Sequence, residues 1–509
     1  YMVQFLLDNT LGAWWTARHP DVKHGTGPDA DINLDFEYLR FVEDEETGEE
    51  VPAAGTYDGW PDTAAELTVM DPCMGSGHFL VAALPMLARM RMHEEGLSAE
   101  EAVDRVIAEN LHGLEIDERC TQIAAFALAM AAWTFDGTSA YRELPEMNLA
   151  CSGLAPEGDL EDWETLAGDD ERLQNGMRRL YSIFQDAPTL GSLIDPSAPE
   201  NRLDTATFEE LEPLLKEALA NGEGVEERER GVLAYGVTQA AGMMSDRYHL
   251  VPTNVPYLGR SKQDQVMREF CSERYPKGKN ELATVFVERC KELASTNGTS
   301  AVVCNQGWFF LSRYEDYRRK LLREGRWRFV ARLGSGAFDS IGGEVVNVVL
   351  LGMDNRPPDS TDKFGSVDVS DEDGATRKAA ALKSSEAYGL QQENQLQNPD
   401  ARIILDEVED LNLLREYADS RYGLRTADSP RFIRRFWELD RLDRDWVFHQ
   451  STVDTTRAYG GRESVLKWEQ GRGDLEEYAS VGKASIQGAD AWGKRGIAVS
   501  LMSNLSVTL

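Results

Sequence analysis

The 509-residue sequence predicts an α/β fold in which a mostly parallel sheet carries helices on both faces. From residue 63 to about 355, short apolar runs alternate with longer stretches of helical periodicity. One such run, 67–70, leads into the glycine-rich turn Asp-Pro-Cys-Met-Gly-Ser-Gly at 71–77, and a helical stretch follows at 79–91. This order is typical of a site for a nucleotide-like ligand, because glycine lets the backbone approach the ligand and the first helical N–H groups are free to donate.

Later segments extend the pattern along the chain. Residues 111–117 predict a second strand that ends in acids, where Glu115 can accept hydrogen bonds from both hydroxyls of a ribose. Residues 147–151 predict a third strand, and the element Asn-Val-Pro-Tyr follows much later at 254–257. A dinucleotide site is a competing interpretation of the first two strands. Its Gly-x-Gly-x-x-Gly fingerprint, however, has Leu80 at the third glycine position here.

Taken in order, the acid that opens the glycine turn, the acid after the next strand and the Asn-x-Pro-Tyr element resemble the S-adenosylmethionine-dependent DNA adenine-N6 methyltransferases. The resemblance implies a class I methyltransferase fold, which is Rossmann-like, with S-adenosylmethionine as cofactor, double-stranded DNA as partner and no metal. The residues it implies at the methyl donor are Asp71, Pro72, Gly75, Gly77, Glu115 and Ile116. The residues it implies at the target base are Asn254, Val255, Pro256 and Tyr257.

The chemistry of an adenine N6 amine explains the second set. The amide oxygen of Asn254 and the carbonyl of Val255 can each accept one N6–H, which aims the nitrogen lone pair at the methyl group. Pro256 stiffens the turn, and Tyr257 is expected to stack on a base that has left the helix. The usual family form is Asn-Pro-Pro-Tyr, so Val255 replaces a proline and removes some rigidity.

Two other methylation chemistries fit the residues less well. A cytosine-C5 enzyme needs a thiolate in a Pro-Cys element facing the base, whereas Pro72 and Cys73 lie inside the glycine turn. Cytosine-N4 enzymes usually carry serine in place of Asn254. The sequence therefore favours adenine.

A second resemblance narrows the family. Residues 423–432 are similar to the Gly-x-x-Thr-Gly-Asp-x-x-Arg-Phe element of PglX-type methyltransferases from the BREX and phage-growth-limitation systems, with Ala427 in place of the second glycine. Further similar segments are 9–12, 337–347, 459–463, 468–469 and 494–497. The resemblance implies methylation of adenine in a non-palindromic site, as a mark on host DNA, within an anti-phage system that can include other defence proteins.

Two alternatives stay open at this point. The chain can be the methyltransferase part of a fused type II restriction-methylation enzyme, because such a core would look similar. It can also be a non-catalytic scaffold that keeps the fold and binds DNA or a defence partner, which Val255 and the acidic segment 155–245 make conceivable.

Changes in composition divide the chain into six segments. Residues 1–62 are predicted to be an N-terminal helix and loop of the catalytic domain, and 63–154 its donor-binding half. Residues 155–245 are predicted to be an acidic helical insertion, and 246–355 the catalytic half. Residues 356–400 are predicted to be an acidic linker, and 401–509 the start of a target-recognition region. Phe338 and Ile341, before the last predicted strand, are candidates for another wall of the base pocket.

The net charge of −35 is unusual for a protein that binds DNA, because phosphate contacts need lysine and arginine. Arginine outnumbers lysine by about three to one, and acids are spread over the whole chain. This pattern favours adaptation to a salt-rich cytoplasm, where self-repulsion is screened. Two basic runs, 313–328 and 431–444, are predicted to be either solvated helix faces or phosphate contacts.

The remaining features concern localisation and extent. The six cysteines and seven histidines show no disulfide framework and no zinc-ligand spacing, which fits a reducing cytoplasm. No apolar run reaches the roughly 20 residues that span a bilayer, so the protein is expected to be soluble. Because Tyr1 begins what looks like the middle of a helix, we expect the chain to be a fragment of a longer protein.

Overall fold

The computed structural model describes residues 1–25, 27, 31–44, 47–197, 210–213, 215, 225–338, 346–405, 416–500 and 506–509. The chain divides into two compact units, Tyr1–Glu407 and Val408–Leu509. Within the described ranges, no helix is long and apolar enough to cross a membrane.

Within its described residues, the first unit contains eleven strands. They are β1 (Phe41–Glu43), β2 (Glu50–Pro52), β3 (Val69–Asp71), β4 (Leu111–Glu115), β5 (Asn148–Cys151), β6 (Tyr248–Asn254), β7 (Ala294–Asn305), β8 (Arg326–Gly334), β9 (Val348–Asp354), β10 (Lys363–Asp368) and β11 (Tyr388–Gln391). β1 and β2 form an antiparallel pair. The other nine form one sheet in the order β11-β10-β8-β9-β7-β6-β3-β4-β5.

The nine-stranded sheet is mostly parallel. β5, β4, β3, β6 and β7 run parallel to one another, and β10 runs parallel to β8. β9 lies antiparallel between β7 and β8, and β11 is an antiparallel edge strand. Helices connect the parallel strands, as crossover connections require. The predicted α/β class is confirmed.

The helices of the first unit follow the strands in sequence. The N-terminal helical segments are Met2–Leu7 and Ala13–Arg18, joined by the π-helical turn Asp8–Gly12, and the main helices after β3 and β4 are His78–Glu95, Ala99–Arg105 and Glu118–Thr134. The later ones are Leu160–Thr165, Glu171–Ile183, Ala187–Leu190, Val225–Ser245, Gln265–Arg274, Leu282–Leu293, Gly307–Phe310, Glu315–Glu324, Gly374–Ser384 and Gln392–Gln395.

Each face of the sheet has its own apolar core, because successive side chains of a strand point to opposite faces. On β7, Val302 and Cys304 join one core while Ala301 and Val303 join the other. The N-terminal helix and the helix after β3 cover the face of Ala301, and the helices between β5 and β7 cover the opposite face. With both faces buried, these strands read as nearly continuous apolar runs in the sequence.

The segment 356–400 differs from the predicted acidic linker. It contains β10, the helix Gly374–Ser384 and β11, and both strands belong to the main sheet. Phe364 and Val367 of β10 are buried in the two cores. Because acids and serines surround these short strands, the average composition of the segment is polar and gives no sign of the few buried apolar residues.

The acidic segment 155–245 shares a core with the catalytic half. Trp163, Leu180 and Ala240 lie in the same apolar cluster as Val255 and Phe286. The described helices of this segment therefore pack against the sheet.

The second unit contains a three-stranded antiparallel sheet with the order β12-β14-β13. Its strands and helices are β12 (Ile433–Arg435), β13 (Trp446–His449), β14 (Ser464–Lys467), the short pair β15 (Ala498–Val499) and β16 (Val507–Thr508), and the helices Ser429–Phe432 and Asp474–Ser480. Phe432, Leu466 and Leu475 form part of a small core. Ala427 has a left-handed backbone with φ of +57°, a conformation that glycine adopts without strain.

Candidate functional site

The glycine loop, residues 71–77, lies at the carboxyl end of β3 and begins the helix His78–Glu95. Gly75 and Gly77 have φ values of +53° and +81°. A Cβ on Gly77 would lie 3.2 Å from the Cβ of Ala124, whereas a Cβ on Gly75 would meet nothing within 4 Å. Gly77 thus permits close helix packing, and the space beside Gly75 is open.

Glu115 holds the loop from the next strand. Its Oε2 accepts a hydrogen bond from the N–H of Gly75 at 2.8 Å, and its Oε1 accepts one from Asp117 at 3.2 Å. Met74 donates to the carbonyl of Leu114 at 3.0 Å. Because each carboxylate oxygen has a second lone pair, Glu115 can still accept hydrogen bonds from a ligand.

Asp71 connects the glycine loop to β6, the strand that ends at Asn254. Its Oδ1 accepts hydrogen bonds from the Thr253 hydroxyl at 2.6 Å and from the N–H of Cys73 at 3.1 Å. Burial raises the pKa of Asp71 to about 7, against the opposing effect of these two donors. The sequence analysis missed Thr253, although its position one residue before the Asn-x-Pro-Tyr element was a usable signal.

Asn254 ends β6 and is exposed, next to the buried Val255. In the parallel register Asn254 lies opposite Val303 of β7, and the N–H of Val255 donates to the Val303 carbonyl at 3.2 Å. β6 is the direct neighbour of β3. The predicted donor residues and the predicted target-base residues therefore lie at the same edge of the sheet.

Tyr257 is partly buried and packs against the apolar core. Its hydroxyl lies 3.5 Å from Oδ1 of Asn254 and 3.4 Å from the Val303 carbonyl, and burial raises its pKa. The ring is thus held beside the Asn254 amide. Pro256 is partly exposed between them.

The ends of β4 and β5 form one side of the site. Ile116 is 43% exposed, and a Cβ on Gly153 would lie 2.1 Å from the Ile116 carbonyl oxygen. The neighbouring Ser152 is only 1% exposed, and within the described part of the chain its hydroxyl has no hydrogen-bond partner. A buried hydroxyl without a partner is costly unless a water or a ligand pairs with it.

Cys73 and the other five cysteines are free. Burial raises the pKa of the Cys73 thiol well above its ordinary value, so the nucleophilic thiolate is disfavoured. This result agrees with the sequence argument against cytosine-C5 chemistry. Among the described residues, no group of three or more His, Cys, Asp or Glu side chains can hold a metal ion.

Most cations of the basic run 313–328 are held by partners within the fold, which argues against a continuous phosphate-binding surface there, although Arg313 and Arg323 are exposed. Arg318 is buried and donates to backbone carbonyls such as that of Trp308 at 2.6 Å. The other paired cations are Arg319 with Glu315, Lys320 with Glu288, Arg326 with Asp362 and Arg328 with Asp354. In the second run, Arg434, Arg441 and Arg444 are exposed, while Arg431 pairs with Asp474.

A different basic segment adjoins Tyr257. Residues 258–260 pair with 280–282, as Leu282 donates to the Leu258 carbonyl at 3.0 Å and Arg260 donates to the Asn280 carbonyl at 3.0 Å. This segment carries the cations Arg260, Lys262, Arg268, Arg274, Lys277 and Lys279. Lys277 is exposed, and in the part of the chain that the structure describes neither Lys277 nor Lys279 forms an ion pair.

Two family models match the chain in the region of this site. The Eco57I restriction-modification methylase model matches residues 109–338, and the MmeI DNA-methyltransferase domain model matches residues 60–151. The first match contains β4 to β8 and the Asn-x-Pro-Tyr element, and the second contains the glycine loop. The predicted α/β methyltransferase fold is confirmed.

Relatives with named functions match most of the chain. It is 29% identical over 377 residues to the adenine-specific methyltransferase BrxX of Escherichia coli O9:H4 (strain HS), a match that covers 70% of this chain and 30% of the relative. It is 29% identical over 370 residues to the adenine-specific methyltransferase PglX of Lacticaseibacillus casei (strain Zhang), covering 69% of this chain and 28% of the relative.

One similar solved structure is a nuclease-deletion mutant of the Type ISP restriction-modification enzyme LlaGI in complex with a DNA substrate mimic. It has 12% identity and a TM-score of 0.41, covering 64% of this chain and 24% of that one. The matches to BrxX and PglX cover less than a third of the length of those two relatives. Over most of its own length it resembles the PglX-type adenine-specific methyltransferases, as its motifs predicted.

Proposed function

We propose that this chain is the catalytic part of a site-specific DNA adenine-N6 methyltransferase that uses S-adenosylmethionine. The observation that carries the proposal is the hydrogen bond from Thr253 to Asp71, which ties the glycine loop to the residue before Asn254. This contact supports a donor site and a base site that lie side by side. Named adenine-specific methyltransferases among the relatives support the same activity.

The residues at the glycine loop fit S-adenosylmethionine. The open space at Gly75 admits a ligand against the backbone, and Glu115 beside it has lone pairs for the two ribose hydroxyls. The unpaired Ser152 hydroxyl and the exposed side chain of Ile116 lie where β4 and β5 end, and suit a polar atom and a ring face of the donor's adenine. When bound, this cofactor supplies an electrophilic methyl group.

The residues at the end of β6 and directly after it act on the target base. Oδ1 of Asn254 and the carbonyl of Val255 accept the two N6 hydrogens, so that the nitrogen lone pair points away from both. This orientation is a positioning effect, and such effects can supply several kcal/mol of barrier reduction, about 7–11 kcal/mol in the best model systems. The amine loses one proton as the N–C bond forms, and the exposed position of Asn254 lets that proton pass to water.

Tyr257 is proposed to contact the flipped base. Its ring is partly exposed beside Asn254. Flipping a base out of the helix costs a few kcal/mol, and stacking that base on an aromatic ring contributes about 1–3 kcal/mol, which offsets part of the cost. Pro256 limits the backbone between the two side chains. The valine at 255 supplies the same carbonyl as the more usual proline would.

Double-stranded DNA is the proposed substrate and partner. In a chain with a net charge of −35, the basic segment 260–279 lies directly after Tyr257, where phosphates flanking a flipped adenine would pass. The exposed arginines of 431–444 in the second unit are the other proposed phosphate contacts. Because host DNA is the proposed target, the proposal places the protein in the cytoplasm.

The same relatives support a proposal for the cellular role. We propose that the methyl mark labels host DNA in an anti-phage system of the BREX type, and that other defence proteins take part. A fused type II restriction-methylation enzyme and a non-catalytic scaffold remain the alternatives to test against.

The test is long-read sequencing of genomic DNA from a methylation-free bacterial host that expresses the gene encoding this chain. We expect N6-methyladenine in one asymmetric motif, and none with Asn254→Ala. Asn148→Ala is the matched control, because Asn148 lies at the opposite end of β5 and bonds the Ala108 carbonyl. Methylation that persists in Asn254→Ala contradicts the assigned role. No methylation with the unmutated gene, even when neighbouring genes are expressed, favours the scaffold.

A further inference from the structure

A segment in the middle of the acidic insertion contacts the glycine loop. The hydroxyl of Ser192, in the short turn Gly191–Leu193, donates to the Pro72 carbonyl at 2.7 Å, and this hydrogen bond is buried. The two residues are 120 positions apart in the chain. A segment of the insertion therefore supplies a partner to the loop that is proposed to bind the methyl donor.

The same turn also lies against the ends of β4 and β5. Gly191 has a left-handed φ of +51°, and a Cβ there would lie 3.1 Å from Cδ1 of Ile116 and 3.3 Å from the Ser152 hydroxyl. A larger residue at Gly191 would meet both side chains. The insertion turn, defined as residues 191–195, thus borders the side of the site that is proposed to hold the donor's adenine.

Arg289 fixes the insertion turn from the helix Leu282–Leu293. Its guanidinium is fully buried and donates to the carbonyls of Ser192 at 2.9 Å, Ile194 at 2.6 Å and Met244 at 3.3 Å. One charged side chain therefore holds three carbonyls from two parts of the insertion that are about 50 residues apart in the chain. A planar guanidinium can do this because its donors form a rigid fork.

An ion pair between Asp195 and Arg274 ties the turn to the side of the site that is proposed to bind the target base. Asp195 pairs with Arg274 at 2.7 Å, on the helix Gln265–Arg274 that follows Tyr257. Burial opposes ionisation of Asp195, but its hydrogen bonds with Ser197 and the charges of Arg289 and Arg274 outweigh this, so its pKa lies below the ordinary value. The turn is therefore anchored on the glycine loop and on the helices of the catalytic half.

We propose that the insertion turn is a wall of the methyl-donor site, and that Ser192 and Arg289 are positioning residues that keep the glycine loop in its binding geometry. The proposal rests on the proposed function in one respect, the identity of the ligand. Without the Ser192 hydroxyl, the buried Pro72 carbonyl loses its partner and the loop can shift to find another. A loop that is ordered before the ligand arrives binds more tightly, because less ordering has to occur on binding.

Hydrogen–deuterium exchange on the ligand-free full chain tests the positioning role, and this measurement does not require methyltransferase activity. The amides of Cys73, Met74, Gly75 and Gly77 all donate hydrogen bonds in the unmutated structure, so their exchange reports loop order. We expect Ser192→Ala to speed this exchange, and Arg289→Lys to do so as well, because a single ammonium cannot reach all three carbonyls. Ser182→Ala, an exposed serine on the helix Glu171–Ile183 of the same insertion, is the control and is expected to leave it unchanged.

Calorimetric titration with S-adenosylhomocysteine gives the second readout. We expect Ser192→Ala to weaken binding about fivefold, the loss typical of one hydrogen bond, while the Kd for DNA stays unchanged. Unchanged loop exchange together with unchanged affinity would overturn the proposal. If the unmutated protein fails to bind S-adenosylhomocysteine, the proposed function fails instead, and the exchange data still decide the role of the turn.

The unmutated protein offers a measurement that does not depend on any variant folding. S-adenosylhomocysteine should slow amide exchange both in residues 73–77 and in residues 191–195. Protection that is confined to the glycine loop would exclude the insertion turn as a wall of the site.

Discussion

Two buried carboxyl groups, Asp8 and Asp71, have pKa values raised to about 7 because burial disfavours their charged forms. Asp8 still accepts hydrogen bonds from Gln4 and from the N–H of Tyr38. The unfolded chain releases these protons near pH 4 and the folded chain near pH 7, so between these values the folded state binds more protons. Their contribution to stability is therefore lost as the pH rises through this window.

Asp71→Asn isolates one of these groups. Both donors to Asp71 reach the same oxygen, Oδ1, so an amide oxygen in that place can accept the same two hydrogen bonds. We expect the variant to be more stable than the unmutated protein at pH 8, by at least about 1 kcal/mol, and the difference to shrink towards pH 5. Thermal unfolding at a series of pH values measures it. A stability difference that is independent of pH would show that the Asp71 carboxyl is ionised throughout.

Ala427 occupies a backbone conformation that costs a residue with a side chain about 1–2 kcal/mol. Ala427→Gly removes this strain but adds chain entropy to the unfolded state, so we expect a net gain of up to about 1 kcal/mol in the second unit. Ala458→Gly is the control, at an exposed position with ordinary φ, and should lower stability. Denaturant-dependent hydrogen exchange of β14 reads the stability of this unit alone. If both variants lost the same amount of stability, the backbone at Ala427 would not be strained.

At the scale of elements, the contrast between the two basic segments of the first unit shows how burial decides the role of a charge. The run 313–328 is conspicuous in the sequence, yet most of its cations bond carbonyls or carboxylates within the fold. In the segment 260–279 the cations are interspersed with acids, so the sequence shows no conspicuous basic run there. Its pairing with the backbone beyond Tyr257 places it next to the candidate base site.

Replacing both Lys277 and Lys279 by alanine tests the second segment. Each phosphate contact contributes about −0.9 to the slope of log K against log salt concentration, so losing two should reduce the magnitude of that slope by about 2. The KM for S-adenosylmethionine should not change. Lys23→Ala with Arg377→Ala removes the same net charge from exposed residues elsewhere and serves as the control. An identical salt slope in the two double variants would place the phosphates elsewhere.

The local elements of the site follow from short stretches of sequence. The glycine loop, the acid at the end of β4 and the Asn-x-Pro-Tyr element each act through residues that are neighbours in the chain, and the structure has β3, β4 and β5 within a few residues of the prediction. The strand predicted after Ile341 is β9 (Val348–Asp354), but it is not the last strand of the sheet, since β10 and β11 follow it. Ile341 and the other residues of 339–345 lie outside the described residues, while Phe338 is partly buried beside the core.

At the scale of the whole molecule, 88 acidic residues against 53 basic ones imply strong self-repulsion in dilute buffer. The Debye length falls from about 30 Å at 0.01 M salt to about 3 Å at 1 M, which screens this repulsion. We expect the Tm to rise as KCl increases from 0.01 M to 1 M. A Tm that is unchanged across this range would contradict the adaptation to a salt-rich cytoplasm.

The sequence by itself determined the fold class, the candidate donor loop and the candidate base-binding residues, because glycine turns, strand periodicity and the Asn-x-Pro-Tyr element act over a few consecutive residues. Only the tertiary structure decided that Thr253 pairs with Asp71, that Ser192 reaches Pro72 and that Arg289 holds the insertion turn. These partners lie from 97 to 182 residues apart, so no local pattern marks them. Whether an arginine, a carboxyl or a hydroxyl is buried and paired depends on the packing of distant segments, and that packing sets its charge and its role.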